Sequence, residues 1–294
     1  MNKKQTLTRI VQAVRRFVLL PVILLTLLTT PNPVDTETAA LCSQRVFVMG
    51  EALAMGQGVT TDGTYFYTAG AATGLHVTCV GKIEIASMTM TAKRLNPLPE
   101  VCRARGNDHI GGISFCDGKL YASVEGGDVC CACIVVFDPE TLEPTGEVYD
   151  LPNDDFDDGV PWLAVDPDTG YLYASKWSHA KTVYVFDVRD GMRPVREIRL
   201  GGIGELDRIQ GGEFYGGALY LSQDSRDNGI RKRLLRLDTH SGEVTVAAER
   251  DVNGGRIEAE DMTFLVSGGV PALYVLDYNK AVGVFLREYA VAGI

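Results

Sequence analysis

At 294 residues, with 46% hydrophobic side chains, the chain can bury one large core or two ordinary ones. The formal net charge is −10, and it is unevenly placed. The first 40 residues set Lys3, Lys4, Arg9, Arg15 and Arg16 against only Asp35 and Glu37, so the rest is more acidic than the whole. An acidic body without clustered Lys and Arg argues against a nucleic-acid backbone as partner and suits an extracellular domain, or one that attracts cations.

Residues 1–17 are basic, residues 17–28 form an apolar run interrupted by Pro21, and Thr29 to Thr38 is polar with two prolines. This is the three-part layout of a secretory signal. The apolar core is shorter than the roughly 20 residues of a spanning helix. Residues 1–40 are therefore read as a signal peptide cut after Ala40, or as an uncleaved membrane anchor with a short linker. Either reading places the folded part outside the cytoplasm, secreted or anchored, with the membrane touched only through this segment.

Beyond it one pattern recurs five times: a tight glycine turn followed by a strand ending in tyrosine. The copies are Asp62-Gly63-Thr64-Tyr65-Phe66-Tyr67, Asp117-Gly118-Lys119-Leu120-Tyr121, Thr169-Gly170-Tyr171-Leu172-Tyr173, Gly216-Gly217-Ala218-Leu219-Tyr220 and, more loosely, Gly268-Gly269 leading to Leu273-Tyr274. The tyrosines lie 54, 52, 47 and 54 residues apart. A period near 50 residues made only of strands predicts an all-β β-propeller of four-stranded antiparallel blades spanning residues 44–292. The second repeat shows the blade best, with strands at 113–115, 119–124, 133–137 and 146–149. The fifth lacks a fourth strand, while Gln44 to Met49 is a strand without a sheet. Supplying the one with the other closes a ring of five blades and leaves no open edge; six blades is the alternative.

The strand starts His109-Ile110-Gly111-Gly112-Ile113-Ser114 and Arg208-Ile209-Gln210-Gly211-Gly212 resemble those of loosely defined propellers of the NHL and gluconolactonase-like kind. That resemblance implies a fold and carries no activity with it. Resemblance in blade number to five-bladed glycosidases and calcium-activated nucleotidases would imply a hydrolase. Glycoside cleavage needs paired carboxylates, and only the last repeat puts carboxylates (Glu258, Glu260, Asp261) at a strand start.

Inner strands of a propeller line its channel, so their starts converge: Gln57, His109, Trp162, Gln210 with Arg208, and Glu258 with Glu260. Second-strand ends, four residues after each repeat tyrosine, add Glu125, Trp177 and Asp224. These ten residues are the candidate ligand-binding ring at the axial mouth. The run Asn153 to Gly159 makes Asp154, Asp155, Asp157 and Asp158 calcium candidates, without the spacing of a helix-loop-helix site. No catalytic residue, other metal site or cofactor is assigned: phosphate loops, nucleophile elbows, His-Glu-x-x-His and dinucleotide fingerprints are missing.

The seven cysteines all lie in the first half of the chain. In an exported protein such clustering favours disulfides, with Cys116, Cys130, Cys131 and Cys133 as candidates. The Cys130-Cys131-Ala132-Cys133 run lacks the second cysteine pair or spaced histidines of a thiolate metal site. Two functions remain: an exported scaffold or binding module holding a small molecule, glycan or protein at one channel face, or a metal-assisted hydrolase or lactonase-like enzyme with His109, Asp224 and Glu258/Glu260 at the mouth.

Overall fold

The sheet structure begins with β1 (Ala39–Phe47), and five hairpin-built sheets follow it. The computed structural model describes residues 20–30, 32–48, 50–126, 131–225, 231–252, 257–279 and 283–294. The first blade is β2 (Gly58–Thr61), β3 (Tyr65–Ala72), β4 (Val77–Glu84) and β5 (Thr89–Leu95). The second is β6 (His109–Cys116), β7 (Lys119–Glu125), β8 (Cys133–Phe137) and β9 (Pro144–Asp150). The third is β10 (Trp162–Asp166), β11 (Tyr171–Ser175), β12 (Thr182–Asp187) and β13 (Arg193–Arg199). A short strand, β14 (Gly201–Gly202), then adds in parallel to the fourth blade, which is β15 (Ile209–Tyr215), β16 (Ala218–Gln223), β17 (Lys232–Leu237) and β18 (Glu243–Arg250). The fifth is β19 (Ile257–Ser267), β20 (Val270–Asn279) and β21 (Gly283–Val291), completed by β1.

The ring therefore closes as the sequence predicts, with five blades. β1 runs antiparallel to β21 from Ala39 opposite Val291 to Phe47 opposite Val284, which removes the open edge of β21. The strand is longer and earlier than expected. A cut after Ala40 would remove its first two residues. The stretch before it is also tied down: Val34 bridges Asp251, and Thr36 Oγ1 donates to the Glu249 carbonyl at 2.7 Å. Residues 20–29 are helical; Val22 and Ile23 pack on Val46, Val48 and Phe285, while Leu20, Leu24, Leu25 and Leu28 face outward. Among the described residues no helix is long and apolar enough to cross a membrane.

Each glycine turn of the repeat joins the first two strands of a blade. The tyrosines that follow are adhesive between blades. Tyr67 stacks on Phe115 of the second blade at 6.0 Å, Tyr173 meets Phe214 of the fourth at 5.0 Å, and Tyr220 meets Phe264 of the fifth at 5.3 Å. Tyr274 reaches Phe66 of the first blade at 4.8 Å, across the closing seam. Such pairs contribute about 0.5–1.5 kcal/mol each beyond their buried area. Among the described residues Tyr121 has no aromatic ring pair, and it packs in an apolar cluster with Val165.

At the axis the inner strands converge on one carboxylate. Asp261 is fully buried; its Oδ2 accepts the N–H groups of Val59 (3.0 Å) and Ile113 (3.2 Å), and its Oδ1 those of Gly212 (3.1 Å) and Met262 (2.8 Å). Irregularities in register put it there: the β19–β20 pairing slips between Ala259 and Met262, and the β6 and β15 pairings slip at Gly111-Gly112 and Gln210. A bulge re-aims side chains in this way. The glycines make room. A Cβ on Gly211 would sit 1.8 Å from Asp261 Oδ1, and one on Gly111 would lie 2.4 Å from the Pro161 carbonyl.

The expected cysteine grouping is not what the fold builds. Cys116, opposite Lys119, and Cys133, opposite Val124, lie at opposite ends of the second blade. Cys131 is a free thiol, Cys130 lies outside the described residues, and no described pair is at disulfide distance.

Asp261 should be indispensable to stability. Asp261→Ala leaves four buried N–H donors without an acceptor, each lost bond costing about 1–3 kcal/mol. We expect a loss above about 4 kcal/mol in urea unfolding, with Gly211→Ala similarly damaging; a midpoint unmoved in both variants would contradict the axial role.

One residue further along the same inner strands, Glu213 accepts from Thr263 Oγ1 (3.1 Å) and Thr60 Oγ1 (3.4 Å). Burial pushes its carboxyl up to about 7. The folded protein thus holds this proton more tightly than the unfolded chain, so the stability it contributes is complete below about pH 4.5 and is lost as pH rises through 7. Thermal midpoints measured from pH 4 to 8 should therefore fall more steeply for the native protein than for Glu213→Gln. Superimposable profiles would remove Glu213 as the source.

Candidate functional site

The upper end of the channel opens into a cavity of about 500 Å³. Inner-strand starts contribute Gln57, His109, Gln210 and Glu258 to its wall. Second-strand ends contribute Ala71, Glu125, Trp177 and Tyr278, each four residues after a repeat tyrosine. The turn Thr73–Leu75, Asp158 and Pro161 complete the rim.

A polar chain runs along one wall. Gln57 Nε2 donates to Glu260 Oε1 at 3.2 Å, which turns the Gln57 carbonyl oxygen toward His109 Nε2, also 3.2 Å away. In the neutral ring that contact puts the proton on Nε2 and the lone pair on Nδ1. His109 stands directly opposite Glu125 in the β6–β7 pairing. Burial raises the Glu125 carboxyl above its ordinary range, against the opposing pull of His109 and of the Val160 N–H, which donates to Oε2 at 2.6 Å. A carboxyl whose protonated form is favoured by burial, beside an imidazole, is a candidate for proton transfer.

The rim beside Glu125 is held by Asp158. Its carboxylate accepts the Trp177 and Ser178 N–H groups at 2.8 Å each and so fixes the indole at the mouth. Arg208 lies 4.8 Å over that indole and 3.5 Å from Glu258 Oε1. Glu125, Asp158 and Glu258 therefore ring the cavity, and the nearby Arg208 is already engaged with carboxylates.

Of the ten ring residues expected from sequence, Gln57, His109, Glu125, Trp177, Gln210 and Glu258 line this cavity. Glu260 lies behind it, fully buried against Gln57, and Arg208 stands on Trp177. Trp162 does not join the mouth. It is a fully buried core residue beside Gly212, with its indole Nε1 donating to Ser175 Oγ at 2.9 Å; its neighbour Pro161 takes the rim position. Asp224 is buried between Arg208 and Lys232 and accepts the Ala259 N–H, and against the cost of burial those cations hold it below the usual carboxylate range. It serves to position these neighbours and is not a free acid or base.

The calcium candidates also disperse. Asp155 accepts the Tyr184 hydroxyl, Asp157 pairs with Lys176 at 2.9 Å, and Asp158 is taken by the Trp177 turn. Asp154 joins no metal-binding group: among the described residues no three His, Cys, Asp or Glu side chains converge to hold an ion. Sequence reasoning missed Tyr278 and Ala71, although the count of four after Tyr274 and Tyr67 that yields Glu125 and Trp177 also yields them.

No protein-family model matches the chain, and no curated relative matches it by sequence. Similarity appears in three dimensions. The structure is similar to that of a glutaminyl cyclase from Myxococcus xanthus, with a TM-score of 0.60 and 14% identity, covering 86% of this chain and 96% of that one. A β-xylosidase, RS223, matches with TM-score 0.52 and 14% identity over 85% of this chain and 94% of that one. The Malassezia sympodialis allergen Mala s 1 matches with TM-score 0.52 and 12% identity over 85% and 80%. At these identities the likeness establishes the propeller fold alone, in agreement with the five closed blades.

Proposed function

We propose that the channel mouth binds a small ligand that presents a protonated amine beside a ring or other apolar body. The observation that carries this reading is the set of three carboxylates, Glu125, Asp158 and Glu258, around one cavity that also offers the faces of Trp177 and Tyr278. Carboxylates supply charge-assisted hydrogen bonds to an ammonium group, and aromatic faces attract cations and rings. A scaffold that binds a large protein would more commonly use a broad apolar patch; the concave, acidic mouth fits a small molecule or a chain end.

A second reading rests on Glu125, whose buried carboxyl faces His109 across the strand pair. The same mouth would then act on its ligand by proton transfer. The name of the glutaminyl cyclase among the similar structures suggests one substrate to try, a peptide with amino-terminal glutamine, which combines an amine with an amide. The metal-assisted form of the enzyme reading has little support, because Asp224 is committed to Arg208 and Lys232.

Trp177 reports on the site directly, since Trp162 is shielded in the core. We expect saturable quenching of the indole fluorescence by small aromatic amines, at least tenfold tighter than by carboxylates of the same shape. Glu125→Gln should weaken amine binding about tenfold, the equivalent of about 1.4 kcal/mol, and Trp177→Phe should abolish the signal. Equal affinity for amines and acids would overturn the reading. In the same titration, ammonia release from a glutamine-led peptide would favour turnover over binding alone.

Export belongs to this proposal and is supported by the basic, apolar and polar succession of residues 1–38. Fractionation of cells producing the full chain should recover it outside the cytoplasm, free or membrane-attached through its N-terminal segment; a soluble cytoplasmic pool alone would count against it.

A further inference from the structure

We infer that Cys102 and Cys133 form a disulfide in the exported protein, joining the link between the first two blades to the third strand of the second. Cys102 lies in a short helix, Glu100–Ala104, between β5 and β6, and Cys133 opens β8. Both are fully buried, and their sulfurs are 3.9 Å apart, in van der Waals contact. A disulfide brings two sulfurs to about 2.05 Å, a closure that side-chain rotation within an already assembled frame can supply. That frame is fixed by backbone contacts on both sides. The Asn107 amide donates to the Cys131 carbonyl at 2.9 Å, and the Asn107 N–H donates to the Cys102 carbonyl at 3.1 Å. Leu98, Ile110, Val124 and Val135 pack around the pair.

Three of the other described cysteines are not placed to compete, and Cys131, two residues before Cys133, is the neighbour that the peptide map must distinguish. Cys116 is at the far end of the blade, Cys79 lies within β4 opposite Gly70 and Leu95, and Cys42 is exposed on β1. Within the pair the roles are unequal. The Cys133 thiol hydrogen-bonds Cys102 and, with Arg105 nearby, lowers the Cys102 thiol below its ordinary value, while the same contact and burial push Cys133 up.

The oxidant is a disulfide-exchange partner. One of the two protein thiolates attacks one of its sulfurs and releases one thiol; the other protein sulfur, losing its proton, then attacks the protein sulfur of that mixed disulfide and releases the second. Two protein thiols and one oxidant disulfide become one protein disulfide and two oxidant thiols. Because neither sulfur is exposed, exchange takes place before the link packs down, and the finished bond is shielded from reductants. It would also brace the segment that runs through Asn107 and Asp108 to His109 at the cavity.

The test uses the full chain recovered from an oxidising compartment, denatured and alkylated without reduction. Proteolysis should release the Cys102 and Cys133 peptides as one cross-linked species, lighter by two hydrogens than their sum and separated by reductant. Reduction in denaturant, followed by refolding with the thiols kept reduced, should lower the thermal midpoint by about 10 °C. Cys102→Ser/Cys133→Ser should melt at the reduced value and ignore reductant, while Cys116→Ser keeps the reductant-dependent shift. Alkylation of both cysteines as free thiols, or Cys102 joined to a different cysteine, overturns the assignment. The peptide map on the unaltered chain decides even where the double variant fails to fold.

Discussion

Four backbone N–H groups from four inner strands or their neighbours end on the single carboxylate of Asp261. An inner strand in a propeller carries hydrogen bonds on only one edge within its own blade, so donors on the axial side need another acceptor. Asp261 supplies it for the first, second, fourth and fifth blades at once. The third blade joins through main-chain atoms instead, with the Gly112 N–H donating to the Pro161 carbonyl at 2.9 Å. Such an arrangement requires the strands to approach closely, which explains why glycines recur where the strands meet the axis. The cost is a carboxyl in a buried place: burial raises Asp261 well above its ordinary range, and the nearby Glu213 adds to the effect.

A second buried charge group secures the seam where the chain ends meet. Asp277 on β20 accepts from Arg250 of the fourth blade at 3.1 Å and from Arg287 on β21 at 2.7 Å. Arg287 in turn donates to Gln44 on β1 at 3.2 Å. Against the burial that would raise it, the two guanidinium groups hold Asp277 below the usual carboxylate range. Buried ion groups of this kind are weak as stabilisers compared with apolar packing but costly to break. Here the group specifies which strand completes the last blade, since Gln44 is aligned only when β1 stands beside β21 in register.

The fold was legible because its signal is repeated. Each glycine turn joins the first two strands of its blade, and four of the five repeat tyrosines meet a ring of another blade, so the period survives where Tyr121 packs in an apolar cluster instead. Element limits were less legible: β19 extends from Ile257 to Ser267, although only its middle alternates visibly. The candidate mouth was partly legible, since Glu125 and Trp177 follow the tyrosines by a fixed count. Trp162 was misplaced because it opens β10 as a core residue bonded to Ser175, and the lining position falls to Pro161 just before the strand. Asp224 looked free because its partner Lys232 lies eight residues on, across a hairpin. The Cys102 and Cys133 contact joins residues 31 apart through a helix that no repeat announces.

These differences have one physical origin. Residues near Asp261 are constrained by backbone approach, and a Cβ there meets another strand, so the channel floor leaves little freedom for chemistry. The second-strand ends stand above that floor, where Ala71, Glu125, Trp177 and Tyr278 occupy equivalent places in four blades with four different side chains, while Asp224 at the fourth blade's equivalent place is buried among its cations. One scaffold thus separates the positions that hold the ring together from those that give its mouth a character. Acidity at the mouth can change by substitution at the second set without disturbing the first. Specificity in this molecule resides in a few non-repeating side chains carried on a repeating frame, which is why the repeat that discloses the architecture discloses so little about the ligand.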